Sequence, residues 1–246
     1  KLQNNKNLPL EICGSKNLKP IYYIEKKGSA QCKSAVILAG MRTEGLTIIK
    51  AKKSRNHTEL LSQYLKLPIK IKSKKKYDLI KVKKVNKIKK INYKIPSDIS
   101  SGAFFMVLTA LTKDAKLTIK NVNINSSRTG VITILKMMGV TIKYQNKKIY
   151  KGEKIADIKI ESPKFIKPIK CPTKYNSCAI DEFLIIFLVA AKAKGVSTFS
   201  DIGELNQKES PRLKWGNKIL NSIGIKTILT KNSIKIFGDP NKKVEK

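Results

Sequence analysis

Three side chains capable of proton and anion chemistry fall within five residues: Lys208, Glu209 and Arg212, in the run E-L-N-Q-K-E-S-P-R at Glu204–Arg212. Ser210 suits a helix N-cap and Pro211 the first helical position, and Leu213, Ile219, Leu220 and Ile223 continue with helical spacing. A helix start carries unpaired N–H groups and the positive end of the dipole, so it attracts phosphate or carboxylate. Lys208 and Arg212 reinforce that attraction. Glu209 opposes it, as an acid in an anion site repels the ligand unless it acts on it. The same residues also fit an exposed, charged helix start with no ligand.

The elements around this stretch repeat. Small polar residues lead into an apolar helix at about 33–42, Gly45 ends it, and a strand follows at Leu46–Ile49. Asn56 and Glu59 have capping-box spacing for a second helix reaching about Leu65, before strands at Ile69–Ile71 and Leu79–Val85. The order returns with a helix at Ala103–Leu111, a strand at Leu117–Val122, a helix at Val131–Met138 capped by Gly139, and strands at Val140–Tyr144 and Ile155–Ile160. It returns again with a helix at Asp181–Ala193, a strand at Ser197–Ile202, a helix from Ser210 to Gly224, and strands at Ile225–Leu229 and Ser233–Phe237. Leu8, Leu10 and Ile12 alternate as a short strand would. Arg55, Arg128 and Arg212 fall at the second helix start of each copy, 73 and 84 residues apart, too long for a solenoid turn. Anion binding and a shared packing role both account for this placement.

Composition bounds the function. The chain has 246 residues, 41% of them apolar, and no apolar run reaches the ~18–20 residues of a membrane span. The formal charge is +35, yet only four of the 52 basic residues are arginine and aromatics make up 7%. Arginine forks and interleaved aromatics are the usual means of base recognition, so most of the charge reads as solvated surface with weak polyanion binding at low salt. Lys33 is expected at the surface. Cys13, Cys32, Cys171 and Cys178 have no metal-binding spacing with the single histidine, His57, which fits free thiols in the cytosol. No metal or cofactor is expected.

Six motifs then come in a recognisable order. They are G-S-A-Q-C-K-S-A-V-I-L-A-G (Gly28–Gly40), S-R-N-H-T-E (Ser54–Glu59), S-D-I-S-S-G-A-F-F (Ser97–Phe105), N-S-S-R-T-G (Asn125–Gly130), A-I-D-E (Ala179–Glu182) and K-E-S-P-R-L (Lys208–Leu213). Across nearly the whole chain they resemble the 5-enolpyruvylshikimate-3-phosphate synthases. The resemblance implies an α/β enolpyruvyl-transferase fold of β-α-β-α-β-β units in two globular domains. By analogy the hinge lies near Tyr93–Pro96, with residues 1–94 in a shikimate 3-phosphate-binding domain and 95–246 in a second domain carrying the acid and base. It implies a cytoplasmic, monomeric transferase of the shikimate pathway to chorismate and aromatic amino acids. The reaction moves the enolpyruvyl group of phosphoenolpyruvate to the 5-hydroxyl of shikimate 3-phosphate and releases phosphate. Asp181 would orient or deprotonate the 5-hydroxyl, Glu209 would handle the methylene proton, and Lys208 would stand between them and the substrates. Arg212 would clamp phosphoenolpyruvate. Ser29, Ala30, Gln31, Ser54 and His57 would hold shikimate 3-phosphate, with Gln31 also reaching phosphoenolpyruvate. Asp181 equally suits a helix N-cap, and His57 suits a pocket wall better than a base.

Two departures stand out. Ala30 replaces a serine common in the family, and Pro211 replaces the aspartate of K-E-S-D-R. The match also begins inside the first implied domain and stops inside the second. An early lysine and arginine, a further arginine of the first domain, a D-H-R motif and a late lysine are expected outside it, so an incomplete phosphoenolpyruvate site, poor or no activity alone and exposed apolar edges are expected. The UDP-N-acetylglucosamine enolpyruvyl transferases share the repeat but lack S-R-N-H-T-E and K-E-S-x-R, which disfavours them. The charge and the repeat also admit a basic nucleic-acid-binding module, or a remnant that keeps the fold without catalysis.

Overall fold

The computed structural model describes residues 14, 15, 17–207 and 209–243. The expected strand at Leu8–Ile12, Cys13 and Lys208 lie outside these residues. The chain divides into two compact units, Lys1–Ile91 and Asn92–Lys246.

In the first unit the order is β1 (Tyr22–Glu25), α1 (Ala30–Gly40), β2 (Leu46–Lys52), α2 (His57–Tyr64), β3 (Ile69–Ser73) and β4 (Tyr77–Lys83). The strands form one sheet in the order β1-β2-β4-β3, with β1 and β2 parallel and the other pairs antiparallel. Period-two alternation turns Thr47, Ile49 and Ala51 of β2 inward and Leu46, Ile48, Lys50 and Lys52 outward. Ile37 and Met41 close the core over Ile49, Ile80 and Val82.

The second unit holds two more copies. The first is α3 (Ile99–Leu111), β5 (Lys116–Asn123), α4 (Gly130–Met137), β6 (Thr141–Tyr150) and β7 (Glu153–Glu161), its sheet ordered β5-β7-β6. A parallel bridge from Ser97 to Val122 stands where β1 stands in the first unit. The other is β8 (Lys170–Cys171), α5 (Phe183–Ala191), β9 (Gly195–Phe199), α6 (Arg212–Ser222), β10 (Thr227–Leu229) and β11 (Ile234–Gly238), ordered β10-β11-β9-β8 with β8 and β9 parallel. The β-α-β-α-β-β pattern is therefore present three times. Apolar on all sides, α5 sits in the core, where Phe183 and Phe187 pack on Phe199 at ring distances of 5.8 and 5.1 Å. On α3, by contrast, Phe104, Phe105 and Leu108 are exposed.

Helix boundaries correct several expectations. Both α1 and α3 begin three to four residues early, since Ser29 Oγ accepts from the Cys32 N–H at 3.2 Å and Asp98 from the Ser101 N–H at 2.8 Å. The Asn56–Glu59 capping box does not form: Asn56 makes no side-chain cap bond, and the Glu59 carboxylate turns inward to an ion pair with Lys33. Ser210 is not the cap of α6. The Ser210 carbonyl accepts from the Arg212 N–H at 2.8 Å across Pro211 (φ −74°, ψ 71°), an inverse γ-turn that leads into the helix. At the other end of α4 and α6 the glycine reading holds. Gly139 (φ 98°) and Gly224 (φ 73°) each complete a Schellman pair, with Val140 N–H on Leu135 O and Ile225 N–H on Leu220 O.

Candidate functional site

A parallel strand pair decides what can meet. Each strand of the pair feeds a helix, so both helix starts emerge at the same sheet edge, the place where α/β sheets bind ligands. In the first unit this joins the Ser29 start of α1 to the Ser54–His57 approach to α2. Ser34 Oγ and Thr58 Oγ1 lie 2.7 Å apart, and Lys33 Nζ donates to the Arg55 carbonyl at 2.8 Å. In the second unit it joins Asp98 to Arg128 at 2.8 Å and Asp181 to Arg212 at 2.9 Å. Each of these arginines answers an acid at the neighbouring helix start.

Ser29 and Ala30 are half-buried and Gln31 is exposed at the first turn of α1. The turn before them is set by Glu25, a residue that no sequence motif singles out. Its buried carboxylate accepts from the Lys27 and Gly28 N–H groups at 2.9 and 2.6 Å. Gly28 adopts φ 82°, which a side chain would strain. Ser54 Oγ is buried without a hydrogen-bond partner. Lys33 corrects the surface expectation: it is fully buried, 2.5 Å from Glu59 Oε1, and a second bond to Arg55 O lets it fasten the 54–57 segment to α1. The signal available was its place one turn into an apolar helix.

In the second unit, α5 begins at Phe183, so Asp181 precedes the helix and does not cap it. Arg212 Nη1 donates to Asp181 Oδ1 at 2.9 Å and Nη2 to Glu209 Oε2 at 2.8 Å. One guanidinium thus spans both candidate proton-transfer groups, a fork geometry a lysine lacks. Glu209 is 82% exposed, whereas Asp181 and Arg212 are about a quarter exposed. Beside them Glu182 is buried and accepts from Ser100 Oγ, which in turn accepts from Arg128 Nη2 at 2.6 Å. Burial works to raise the Asp98 pKa, but the Ser101 N–H and Arg128 outweigh it and hold it low. Burial pushes the Cys171 thiol up to about 11 and raises that of Cys178, so neither is poised as a thiolate. No group of three or more metal-ligating side chains occurs among the described residues. No helix among them is long and apolar enough to cross a membrane.

Comparison with known proteins matches residues 1–244 to the family model for EPSP synthase (3-phosphoshikimate 1-carboxyvinyltransferase). The chain belongs to the EPSP synthase family. The 3-phosphoshikimate 1-carboxyvinyltransferase of Ruthia magnifica subsp. Calyptogena magnifica is 41% identical over 236 residues, covering 96% of this chain and 53% of the relative. That of Hydrogenovibrio crunogenus is 40% identical, covering 94% and 52%. The chain thus spans about half the length of the curated relatives it matches. An EPSP synthase structure from Acinetobacter baumannii superposes with a TM-score of 0.84 at 37% identity over 97% of this chain and 54% of its own. The enolpyruvyl transferase NikO from Streptomyces tendae has a TM-score of 0.63 at 13% identity over 91% of this chain and 52% of its own, a likeness of fold alone.

Within this EPSP synthase family chain, the two departures sit at structurally tolerant places. Ala30 is the first residue of α1, where its backbone N–H remains, and Pro211 is the central residue of the γ-turn, which needs no N–H. The Arg212 fork forms with both in place.

Proposed function

We propose that this chain contributes to the transfer of the enolpyruvyl group of phosphoenolpyruvate to the 5-hydroxyl of shikimate 3-phosphate, with release of phosphate. The observation that carries the reading is the Arg212 fork. The cation suited to clamping phosphoenolpyruvate already holds Asp181 and Glu209, 2.9 and 2.8 Å away. The reaction needs a proton delivered to the alkene methylene as the 5-hydroxyl oxygen bonds to the adjacent carbon, with the hydroxyl proton passing to a base. A proton must then leave the new methyl group as the phosphate bond breaks. Asp181 takes or orients the hydroxyl proton, and Glu209 gives and recovers the methylene proton. An arriving phosphate or carboxylate competes for Arg212 and frees Glu209 for that role. Lys208 offers a further cation at the developing phosphate charge. Ser29, Ala30, Gln31, Ser54 and His57 are assigned to shikimate 3-phosphate, consistent with the helix start at Ser29 and the buried, unpartnered Ser54 hydroxyl. The reading divides the roles between domains at residues 1–94 and 95–246, and takes the protein as a cytoplasmic monomer, which light scattering tests.

The experiment is phosphate release on mixing both substrates at about 1 mM, the upper end of ordinary KM values. The fluorescence of Trp215, three residues from Arg212 on α6, is read in parallel. A fluorescence response to shikimate 3-phosphate is expected, and any phosphate release must depend on both substrates, full turnover not being expected of a chain half the length of its relatives. Silence in both measurements would sink the proposal.

A further inference from the structure

The outward face of the β1-β2-β4-β3 sheet carries six lysines: Lys50 and Lys52 on β2, Lys70 and Lys72 on β3, Lys81 and Lys83 on β4. Their registers place them on one side, with Lys70 directly opposite Lys81, Lys81 opposite Ile48, and Lys50 opposite Leu79. Like charges directly across a ladder are unfavourable unless something neutralises them. Among the described residues no carboxylate stands on this face. Glu25 holds the Gly28 turn, Glu44 pairs with Lys84, Glu59 pairs with Lys33, and Asp78 accepts from Ser73.

A lysine-rich composition does not explain that absence, because the sheet of the next repeat provides a comparison within the same chain. There β7 turns Asp157 and Glu161 outward, and they pair with Lys120 and Lys159, each at 3.0 Å. One copy of the unit pairs two of its outer lysines with carboxylates of the same sheet, and the other, among the described residues, pairs none. The face also bears aromatic and apolar area between the lysines. Tyr22, opposite Ile48 at the β1 edge, is 59% exposed, and Lys50 lies 4.7 Å over the Tyr77 ring.

We infer that this sheet face binds single-stranded RNA without sequence preference, the lysines contacting phosphates and Tyr22 stacking a base. Lysine acts as a point charge toward phosphate and does not read base edges, and every base offers a π-face, so the combination is tolerant of sequence. A duplex would need an element shaped to enter a groove. An anionic membrane would need a contiguous inserted apolar face, whereas Ile48 and Leu79 are half-buried among the lysines and the exposed Tyr22, Ile24 and Leu46 are confined to β1 and the start of β2.

The test is fluorescence anisotropy of a labelled oligouridylate with the full chain at about 150 mM salt, a concentration at which weak non-specific contacts fall steeply. Two triple variants remove the same number of charges: Lys70→Gln, Lys72→Gln, Lys81→Gln on this face, and Lys116→Gln, Lys143→Gln, Lys235→Gln on the other sheets. The first set is expected to weaken binding roughly tenfold or more and to lower the salt slope by about 0.7 per lost phosphate contact, the second set by less than about threefold. Tyr22→Ser is expected to weaken binding severalfold with the salt slope unchanged. Equal loss in both triple variants, loss of all binding at that salt, no effect of Tyr22→Ser, or tighter capture by phosphatidylserine vesicles than by RNA would each overturn the inference. Circular dichroism of every variant verifies that the fold is retained.

Discussion

Glu209 is an exposed carboxylate whose partner, Arg212, is also the group best suited to an anionic substrate. If it carries the methylene proton, Glu209→Gln keeps the shape and a hydrogen bond but cannot accept a proton. In a complete enzyme carrying this segment, turnover in the proposed reaction should then drop by roughly 100-fold or more, while shikimate 3-phosphate still binds. Turnover within about threefold of the parent would remove Glu209 from the mechanism. Lys33 poses a different question, because its burial makes it structural. Lys33→Met strands Glu59, whose Oε2 already lacks a partner, and should lower stability by about 3–5 kcal/mol in urea melts. Adding Glu59→Leu should recover most of that loss, since two apolar groups need no pairing. No recovery would mean that the pair itself holds the 54–57 segment. Asp157 supplies the pH dependence. It accepts from the Asn121 N–H and Asn146 Nδ2 at 2.8 Å and from Lys120 at 3.0 Å, which hold its pKa at about 2. Its unfolded value is about 3.9, so its stabilisation is present above that pH and is lost as pH falls towards 2. The Tm gap between the parent and Asp157→Asn should close over that interval. A gap that does not change with pH would contradict the assignment.

At the scale of elements, close approach at Gly130 ties the two repeats of the second unit together. A Cβ there would lie 2.7 Å from the Cys178 carbonyl carbon and 2.8 Å from Ala179 Cβ, and the Gly130 N–H donates to Cys178 O at 3.1 Å. Gly130→Ala should therefore cost about 1–3 kcal/mol despite better helix propensity, and should disturb the segment leading to Asp181. A neutral or stabilising effect in a denaturant melt would show that α4 can shift freely. The repeat itself was legible, because apolar periodicity and the glycine stops are local signals, and they recovered the helices and later strands of all three copies, though not the short first strands β1 and β8. Local signals also misled. Ser210 and the Asn56–Glu59 spacing have capping chemistry, but in the fold their groups answer other partners. The burial of Lys33 depends on Glu59, 26 residues away, and no helical pattern reveals such a pairing. The same holds for the bulges where Asn121 and Asn146 take φ near 50°, which exist because Asp157 on the neighbouring strand fastens both. Of the candidate site, the second-unit cluster of Asp181, Glu209 and Arg212 came together in space, while Glu25 lies in no motif and the Ser100–Glu182 contact joins two motifs that no local signal pairs.

Over the whole molecule the charge is uneven. Residues 1–91 hold 24 lysines and arginines against 5 acids, whereas residues 92–246 hold 28 against 12. Self-repulsion of this kind destabilises a compact state, and salt relieves it by shortening the screening length from about 30 Å at 0.01 M to about 3 Å at 1 M. Specific pairs such as Lys120–Asp157 lose strength under the same screening, so the two units should respond differently. Raising sodium chloride across that range should slow amide exchange in β2 and β4 of the first unit more than in β7 of the second. The β2 and β4 amides lie beneath the six outward lysines, while β7 carries the compensating carboxylates. Equal protection gains in the two units would mean that the lysines of the first sheet are already fully solvated and do not strain it. A gain confined to the first unit would locate the net charge as a mechanical load on that sheet, one that a bound polyanion would relieve as salt does.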